Sequence, residues 1–179
     1  HLKCFLAVQD PAIDCPSRKK YPNWKVWPLL KWMNFIFKLV WLVGIYCAVD
    51  EMTIGFQGIH ADKKRITYKN EGDGFQADAL CNDGYCYQFY FRNEPGNENY
   101  TRNGLSPLHS RVMLLFDTLK DDYHACGMDN LYNSAAFCKH AYVHPQTVKV
   151  HGVTRKGMRG IPLCVKQEEV KNRKKQLQV

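Results

Sequence analysis

The stretch Cys47-Ala48-Val49-Asp50-Glu51-Met52-Thr53-Ile54-Gly55-Phe56 decides the fold, because it has the composition of a strand and carries an acid at its centre. Side chains alternate along a strand, so Asp50 shares a face with Met52 and Ile54, whereas Glu51 takes the other face. We therefore expect Asp50 to point inward and Glu51 to face solvent. A buried carboxylate is costly unless it is paired, hydrogen-bonded, protonated or bound to a metal. A local ion pair would satisfy Asp50, but a second acid in similar surroundings, Asp129, favours a metal.

Length and composition predict one folded domain with a basic surface. The chain has 179 residues, of which 45% are hydrophobic and 13% aromatic, which is enough to bury an ordinary core. Its 25 lysines and arginines exceed its 17 acids and give a formal net charge of +8. This balance favours a polyanionic partner, either nucleic acid or an anionic membrane surface.

Eight cysteines are present, and no two have the Cys-x-x-Cys spacing. Cys81 and Cys86 flank a predicted turn, where they could bridge a hairpin, form half of a zinc site or pack in the core, and we favour packing. No secretory signal is visible, so we expect reduced thiols in a cytosolic or nuclear setting.

The most apolar stretch, 27–43, is predicted to be a buried amphipathic helix that begins at Pro28. Lys31, Asn34 and Lys38 recur at helical spacing and would form one polar stripe. The alternative is a membrane anchor, but the uninterrupted apolar run is shorter than the roughly 20 residues that a bilayer requires.

Two strands, 75–80 and 85–91, flank the turn signal Asp83-Gly84, and we expect them to pair as an antiparallel hairpin. Four aromatic residues of the second strand would line one face: Tyr85, Tyr87, Phe89 and Phe91. Such a ladder could stack on nucleic-acid bases, but it more often forms half of a core, which we favour.

Ser106-Pro107 is predicted to start a helix that ends near Lys120. The segment 123–128 would be a short buried strand that presents Asp129 at its carboxyl end, where acids can face a shared cleft. A helix over 134–143 and a strand over 147–153 should follow.

Three blocks of sequence, in the same order, resemble blocks that are characteristic of piggyBac-type transposases. Val49–Gly58 is similar to the first catalytic block, and Met128–Ser134 resembles the second, an Asp-Asn-x-Tyr-x-Ser pattern. Gly152–Arg155 with Arg159–Pro162 is similar to the basic strand and turn that follow. The resemblance covers about residues 26–162, including Val26–Leu30, which resembles the helix before the first block.

The resemblance implies an α/β fold, an RNase H-like mixed sheet flanked by helices and incomplete at its C-terminal end. It divides the chain into a loop-rich basic segment (1–25), the transposase-derived domain (26–165) and a basic tail (166–179). It also implies Mg²⁺-dependent cutting and joining of DNA, with Asp50 and Asp129 as catalytic metal ligands and Asn130 close to the metal or the DNA. Six basic residues would contact DNA phosphates: Lys63, Lys64, Arg65, Arg155, Lys156 and Arg159. A nuclear location, a homodimer in the full-length context and no membrane partner are further expectations.

The chain also departs from the family pattern. The family's third aspartate lies well beyond the second, but here only Glu168 and Glu169 follow Asp129, in a basic tail that matches no third block. Gly72 and Gln76 stand where basic residues are expected. These differences predict an inactive fragment or decayed copy of an enzyme. The alternatives are a DNA-binding module without catalysis and a membrane-associated protein anchored through 27–43.

Overall fold

Five strands form one mixed sheet in a computed structural model that describes residues 26–65, 72–92, 102, 104–120, 123–154, 158 and 160. The strands are β1 (Tyr46–Gly55), β2 (Gly74–Asn82), β3 (Tyr85–Phe91), β4 (His124–Met128) and β5 (Val148–Gly152). They lie in the order β3-β2-β1-β4-β5. β1, β2 and β3 pair antiparallel, whereas β4 is parallel to β1 and β5 is parallel to β4. Because β1, β4 and β5 run in the same direction, their carboxyl ends lie at the same end of the sheet.

Among the described residues, three helices flank the sheet: α1 (Trp27–Val40), α2 (Pro107–Phe116) and α3 (Ala135–Tyr142). α2 and α3 supply Phe116 and Phe137 to a core cluster that also contains Val49 of β1. α1 packs Leu30 and Phe37 against a second cluster on the other face, built on Phe89 and other residues of β2 and β3. The predicted α/β fold, a mixed sheet with helices on its faces, is confirmed.

The hairpin between β2 and β3 confirms the Asp83-Gly84 turn. Both turn residues have positive φ, 49° at Asp83 and 80° at Gly84, which is the conformation that a two-residue hairpin turn requires. The favoured interpretation of the aromatic residues as core is confirmed, because Tyr87, Phe89 and Phe91 are buried, but their predicted placement on one face is wrong. The pairing register shifts between Leu80 and Cys81, so Tyr87 packs in the cluster under α2 and α3 while Phe89 belongs to the cluster under α1. These rings are buried and do not present a surface for base stacking.

Two serines cap helix starts, as predicted at Ser106 and in addition at Ser134. The Ser106 hydroxyl accepts a hydrogen bond from the His109 amide at 3.2 Å, and Ser134 accepts one from the Phe137 amide at 3.2 Å. α2 ends at Phe116 rather than near Lys120, because the following residues form tight turns in which the Thr118 amide donates to Leu115.

The polar stripe predicted for α1 is wrong. Asn34 is buried and faces the sheet, where its amide group donates to the Phe89 carbonyl at 2.8 Å and accepts from the Phe89 amide at 3.1 Å. β3 is an edge strand, and Asn34 satisfies backbone groups that no neighbouring strand pairs. Large apolar residues, including Trp32 and Leu39, are exposed instead. Within the described part of the chain, no helix is long and apolar enough to cross a membrane.

Candidate functional site

Asp50 and Asp129 come together at the centre of the sheet. β1 and β4 pair in parallel, with Val49 opposite Met128. The next residue on each chain is an aspartate, so the two acids occupy neighbouring positions although 79 residues separate them in the sequence. Side chains alternate along both chains, so the two carboxylates are placed on the face opposite to Val49 and Met128. The juxtaposition expected from the sequence is therefore present.

The expectation that Asp50 points inward is wrong, because Asp50 is exposed and its buried neighbours in β1 are Cys47 and Val49. Alternation correctly groups Asp50 with Met52 and Ile54, but these two residues are only partly buried, under α1. The larger core lies on the other face, and Glu51 points to that side. Glu51 is consequently not a solvent-facing acid: it is ion-paired with Arg92.

Each aspartate is held by its own backbone and keeps part of its carboxylate exposed. Asp50 Oδ1 accepts a hydrogen bond from the Glu51 amide at 2.7 Å, and Asp129 Oδ1 accepts one from the Asn130 amide at 2.5 Å. Neither carboxylate forms an ion pair with any residue that the structure describes. Within those same residues no group of three His, Cys, Asp or Glu side chains could hold a metal ion. The site therefore offers two exposed carboxylates in neighbouring positions, with no positive partner in the part of the chain that the structure describes.

The remaining residues of the Asp-Asn-x-Tyr-x-Ser pattern fix the loop that carries Asp129. The Asp129 carbonyl accepts from the amides of Tyr132 and Asn133, which closes a turn directly after β4. The Asn133 side chain is buried, donates to the Val153 carbonyl at 3.4 Å and accepts from the thiol of Cys138. Ser134 then caps α3. The motif thus explains why a short loop holds Asp129 in a defined position.

A third acid is fully buried and accepts a hydrogen bond from a residue of this loop. Asp78 of β2 has no exposed surface, and its carboxylate accepts hydrogen bonds from Arg92, Arg111 and Tyr132. Arg92 also bonds to Glu51, the neighbour of Asp50. Two acids and two arginines balance in formal charge, as a buried ionic cluster requires. The cluster joins β1, β2, β3, α2 and the loop after Asp129.

The surroundings of Arg92 and Tyr132 favour the protonated forms of both side chains. Burial alone would lower the pKa of Arg92, but the charges and hydrogen bonds of Asp78 and Glu51 outweigh burial and raise that pKa. Burial, followed by the negative charge of Asp78, raises the pKa of Tyr132. Both groups therefore remain donors to Asp78 over the whole physiological pH range.

Sequence reasoning missed this cluster, although the signal used for Asp50 was available. Asp78 interrupts the apolar run 75–80, as Asp50 interrupts β1. Period two places Asp78 on one face with Leu80, and both residues prove to be fully buried. A buried acid in a strand predicts a cationic partner, and Arg92 at the end of β3 is the first arginine after it in the sequence.

The predicted phosphate contacts are only partly described. Lys63 forms an ion pair with Asp73 at 3.2 Å, whereas Lys64 and Arg65 are exposed. Lys64 pairs through its backbone with Gly74, which lies opposite Gly55 at the carboxyl end of β1. Five residues of extended strand, about 17 Å, separate Gly55 from Asp50. Arg155, Lys156 and Arg159 lie outside the described residues.

This mixed sheet with its flanking helices matches the fold of a solved transposase. Among solved structures, the chain is similar to the piggyBac transposase in its synaptic complex with hairpin DNA, determined by cryo-electron microscopy. The TM-score is 0.75 at 20% sequence identity, over 88% of this chain and 33% of the transposase chain. The chain thus spans a third of the length of the protein that it matches.

The family follows from the sequence. The model of the family described as Transposase IS4 matches residues 6–179, and the chain belongs to this family. No curated protein sequence matches the chain significantly. The family assignment confirms the prediction of a transposase domain, and the chain shares its fold with the piggyBac transposase.

Proposed function

We propose that this domain binds DNA and that Asp50 and Asp129 together hold a divalent cation at the DNA backbone. The single observation that carries the proposal is the position of the two acids, adjacent across β1 and β4 and without a cationic partner among the described residues. Two like charges side by side repel each other, and a cation between them would remove this cost.

The donor set fits Mg²⁺ or Mn²⁺. Both are hard cations that prefer oxygen ligands, and Mg²⁺ is commonly held by one or two carboxylates, with water and substrate phosphates filling its other positions. Asp50 and Asp129 would supply the two carboxylates. A bound cation would neutralise charge on the phosphate group, which is what phosphodiester exchange requires. The chain's own contribution is to fix Asp129 through the turn after β4 and Asp50 through β1.

DNA is the partner that charge and fold both support. The formal net charge is +8, and the related piggyBac transposase was solved in a complex with hairpin DNA. Lys64 and Arg65 are exposed near the carboxyl end of β1 and are the described candidates for phosphate contacts. A nuclear location and a homodimer in the full-length context are part of the same proposal.

Thermal unfolding tests the cation site. Mg²⁺ or Mn²⁺ should raise the melting temperature of the wild-type protein, and the double variant Asp50→Asn, Asp129→Asn should lose this increase, because a ligand that binds only the folded state stabilises it by an amount that grows with the logarithm of the ligand concentration relative to Kd. Asp83→Asn is the matched control: it removes one exposed carboxylate at the hairpin turn, where asparagine is well tolerated. Equal cation dependence in the wild-type protein and the double variant would refute the cation site.

DNA binding is measured separately, so that a pure DNA-binding module can be distinguished. Lys64→Ala with Arg65→Ala should weaken duplex binding and reduce the salt dependence, by about one unit of log–log slope for each DNA phosphate that the variant no longer neutralises. Lys31→Ala, on the surface of α1, is the charge control. If Lys31→Ala weakens DNA binding as much as the double variant does, per charge removed, the affinity for DNA depends on net charge alone. If the Asn variant of both aspartates binds DNA as tightly as wild type with and without Mg²⁺, the domain binds DNA without a metal.

A further inference from the structure

The hairpin between β2 and β3 brings two cysteines directly opposite each other. Cys81 pairs with Cys86, one position before the closing pair Asn82 and Tyr85. A two-residue turn closes on a hydrogen-bonded pair, and hydrogen-bonded and non-hydrogen-bonded pairs alternate along an antiparallel ladder. Cys81 and Cys86 therefore form a non-hydrogen-bonded pair, the type in which facing side chains are closest.

The geometry of such a pair matches that of a disulfide. Cα atoms of a non-hydrogen-bonded pair are about 4.5 Å apart, within the range of roughly 4.4–6.8 Å that disulfides span. Cys81 and Cys86 are free thiols, and interaction with the Cys86 side chain lowers the pKa of Cys81 to about 7. Both residues pack against the cluster built on Phe89 but are only partly buried, so part of each is exposed to solvent.

A second cysteine pair in the same sheet is the natural comparison. Cys47 of β1 lies opposite Cys126 of β4 in the parallel register. These two residues are buried, at 7% and 0% exposure, inside the cluster under α2 and α3. The two cysteines of each pair thus lie opposite each other, but of the two pairs it is Cys81 and Cys86 that are partly exposed to solvent.

We propose that Cys81 and Cys86 are a reversible modification site, a dithiol that a low-molecular-weight disulfide such as oxidised glutathione converts into an intramolecular disulfide. The proposal does not depend on the DNA or metal site. The thiolate of one cysteine attacks a sulfur of the oxidant, the S–S bond of the oxidant breaks, and one glutathione leaves as a thiolate and takes up a proton. The thiolate of the second cysteine then attacks the protein sulfur of the mixed disulfide and releases the second glutathione. Two protein thiols are oxidised, and one disulfide is reduced to two thiols.

Alkylation and mass spectrometry test the site on the full, reduced chain. The protein is equilibrated in glutathione buffers of increasing oxidised-to-reduced ratio, quenched with acid, alkylated under denaturing conditions and digested. We expect a species that is lighter by two hydrogens before alkylation, in which Cys81 and Cys86 are protected, and which dithiothreitol returns to the reduced form. Cys47 and Cys126 should remain alkylated in that species.

Single variants separate a dithiol from two independent thiols. In Cys81→Ser and in Cys86→Ser, the remaining cysteine should accumulate as a mixed disulfide with glutathione, because the resolving thiol is missing. The double variant Cys81→Ser, Cys86→Ser should give no lighter species, with circular dichroism confirming that it is folded. The proposal is overturned if Cys81 and Cys86 stay fully alkylated at every ratio, if the lighter species persists in the double variant, or if the mapped disulfide joins other cysteines.

Discussion

The hydroxyl of Tyr132 donates a hydrogen bond of 2.7 Å to Oδ1 of Asp78, 54 residues earlier in the chain. Tyr132 lies three residues after Asp129, in the loop whose turn is closed by the Asp129 carbonyl. Asp78 lies in β2 opposite Glu51, the neighbour of Asp50. The bond therefore ties the loop that carries one exposed aspartate to the strand pair that carries the other. The buried cluster is a scaffold that holds the two acids in register.

Replacing Asp78 should be the most destabilising single change in this scaffold. Asp78→Asn keeps the shape of the side chain but leaves Arg92 and Arg111 with one acid, Glu51, between them. Removing one partner of a buried charge cluster costs about 3–5 kcal/mol. The free energy of unfolding, measured with urea, should fall by this amount, while Asp83→Asn at the exposed turn should change it by less than about 0.5 kcal/mol. A decrease below about 1 kcal/mol for Asp78→Asn would show that the cluster does not carry stability.

Tyr132 should make the protein sensitive to alkaline pH. Its pKa is raised in the folded state, first by burial and then by Asp78, so above the ordinary tyrosine pKa of about 10 the unfolded chain loses a proton that the folded chain retains. The contribution of Tyr132 to the free energy of unfolding is complete below about pH 10 and is lost as pH rises beyond it. Tyr132→Phe should lower the free energy of unfolding at pH 8 by about 1–3 kcal/mol, since Asp78 loses one donor.

The comparison that isolates this effect is the slope of stability against pH. From pH 9 to 11 the wild-type protein should lose more stability than Tyr132→Phe. The exposed Tyr46 provides the matched control, because Tyr46→Phe should retain the wild-type slope. Parallel pH profiles for wild type and Tyr132→Phe would contradict the assignment.

Local signals in the sequence determined much of this fold. Ser106-Pro107 and Asp83-Gly84 each act within a few residues, and they form the predicted helix start and turn. Which face of a strand is buried, and which residue a side chain contacts, depend on residues far away in the chain and were harder to predict. Alternation grouped Asp50 with Met52 correctly, but the larger core lies on the opposite face.

The residues that were misjudged share one cause: their environment is set by tertiary packing. Asn34 faces the edge strand β3, which provides backbone groups that no helical pattern can indicate. The shift in register before Cys81 sends Tyr87 and Phe89 to different faces. The neighbouring positions of Asp50 and Asp129 were predicted through resemblance to a family, since no periodicity in the sequence relates two strands so far apart.

Asn34 should be essential for holding α1 on the sheet. Asn34→Ala removes both partners of the Phe89 backbone amide and carbonyl and leaves these groups without their hydrogen bonds. Each unsatisfied buried group costs about 1–3 kcal/mol, so the free energy of unfolding should fall by at least about 2 kcal/mol. Leu39→Gln, at an exposed position of the same helix (62% exposed), should be nearly neutral. Amide hydrogen exchange provides the specific readout: the Phe89 amide should exchange faster in Asn34→Ala, and unchanged protection there would refute the role.

His109 should make the protein sensitive to mild acid. Its ring stacks on Phe137 with centroids 5.1 Å apart, and Nδ1 lies 3.0 Å from the Ser106 hydroxyl. Burial lowers the pKa of His109 in the folded state, so below the ordinary histidine pKa of about 6.5 the unfolded chain takes up a proton that the folded chain does not. The contribution of His109 to the free energy of unfolding is complete above about pH 6.5 and decreases as pH falls towards the folded-state pKa of His109.

The test compares urea unfolding of wild type, His109→Phe and His151→Gln at pH 8 and pH 5. His109→Phe keeps an aromatic ring against Phe137 but cannot be protonated, and its stability should fall less between the two pH values than that of wild type. His151 is exposed on β5, so His151→Gln should follow wild type. If His109→Phe loses as much stability at pH 5 as wild type, a group other than His109 causes the acid sensitivity.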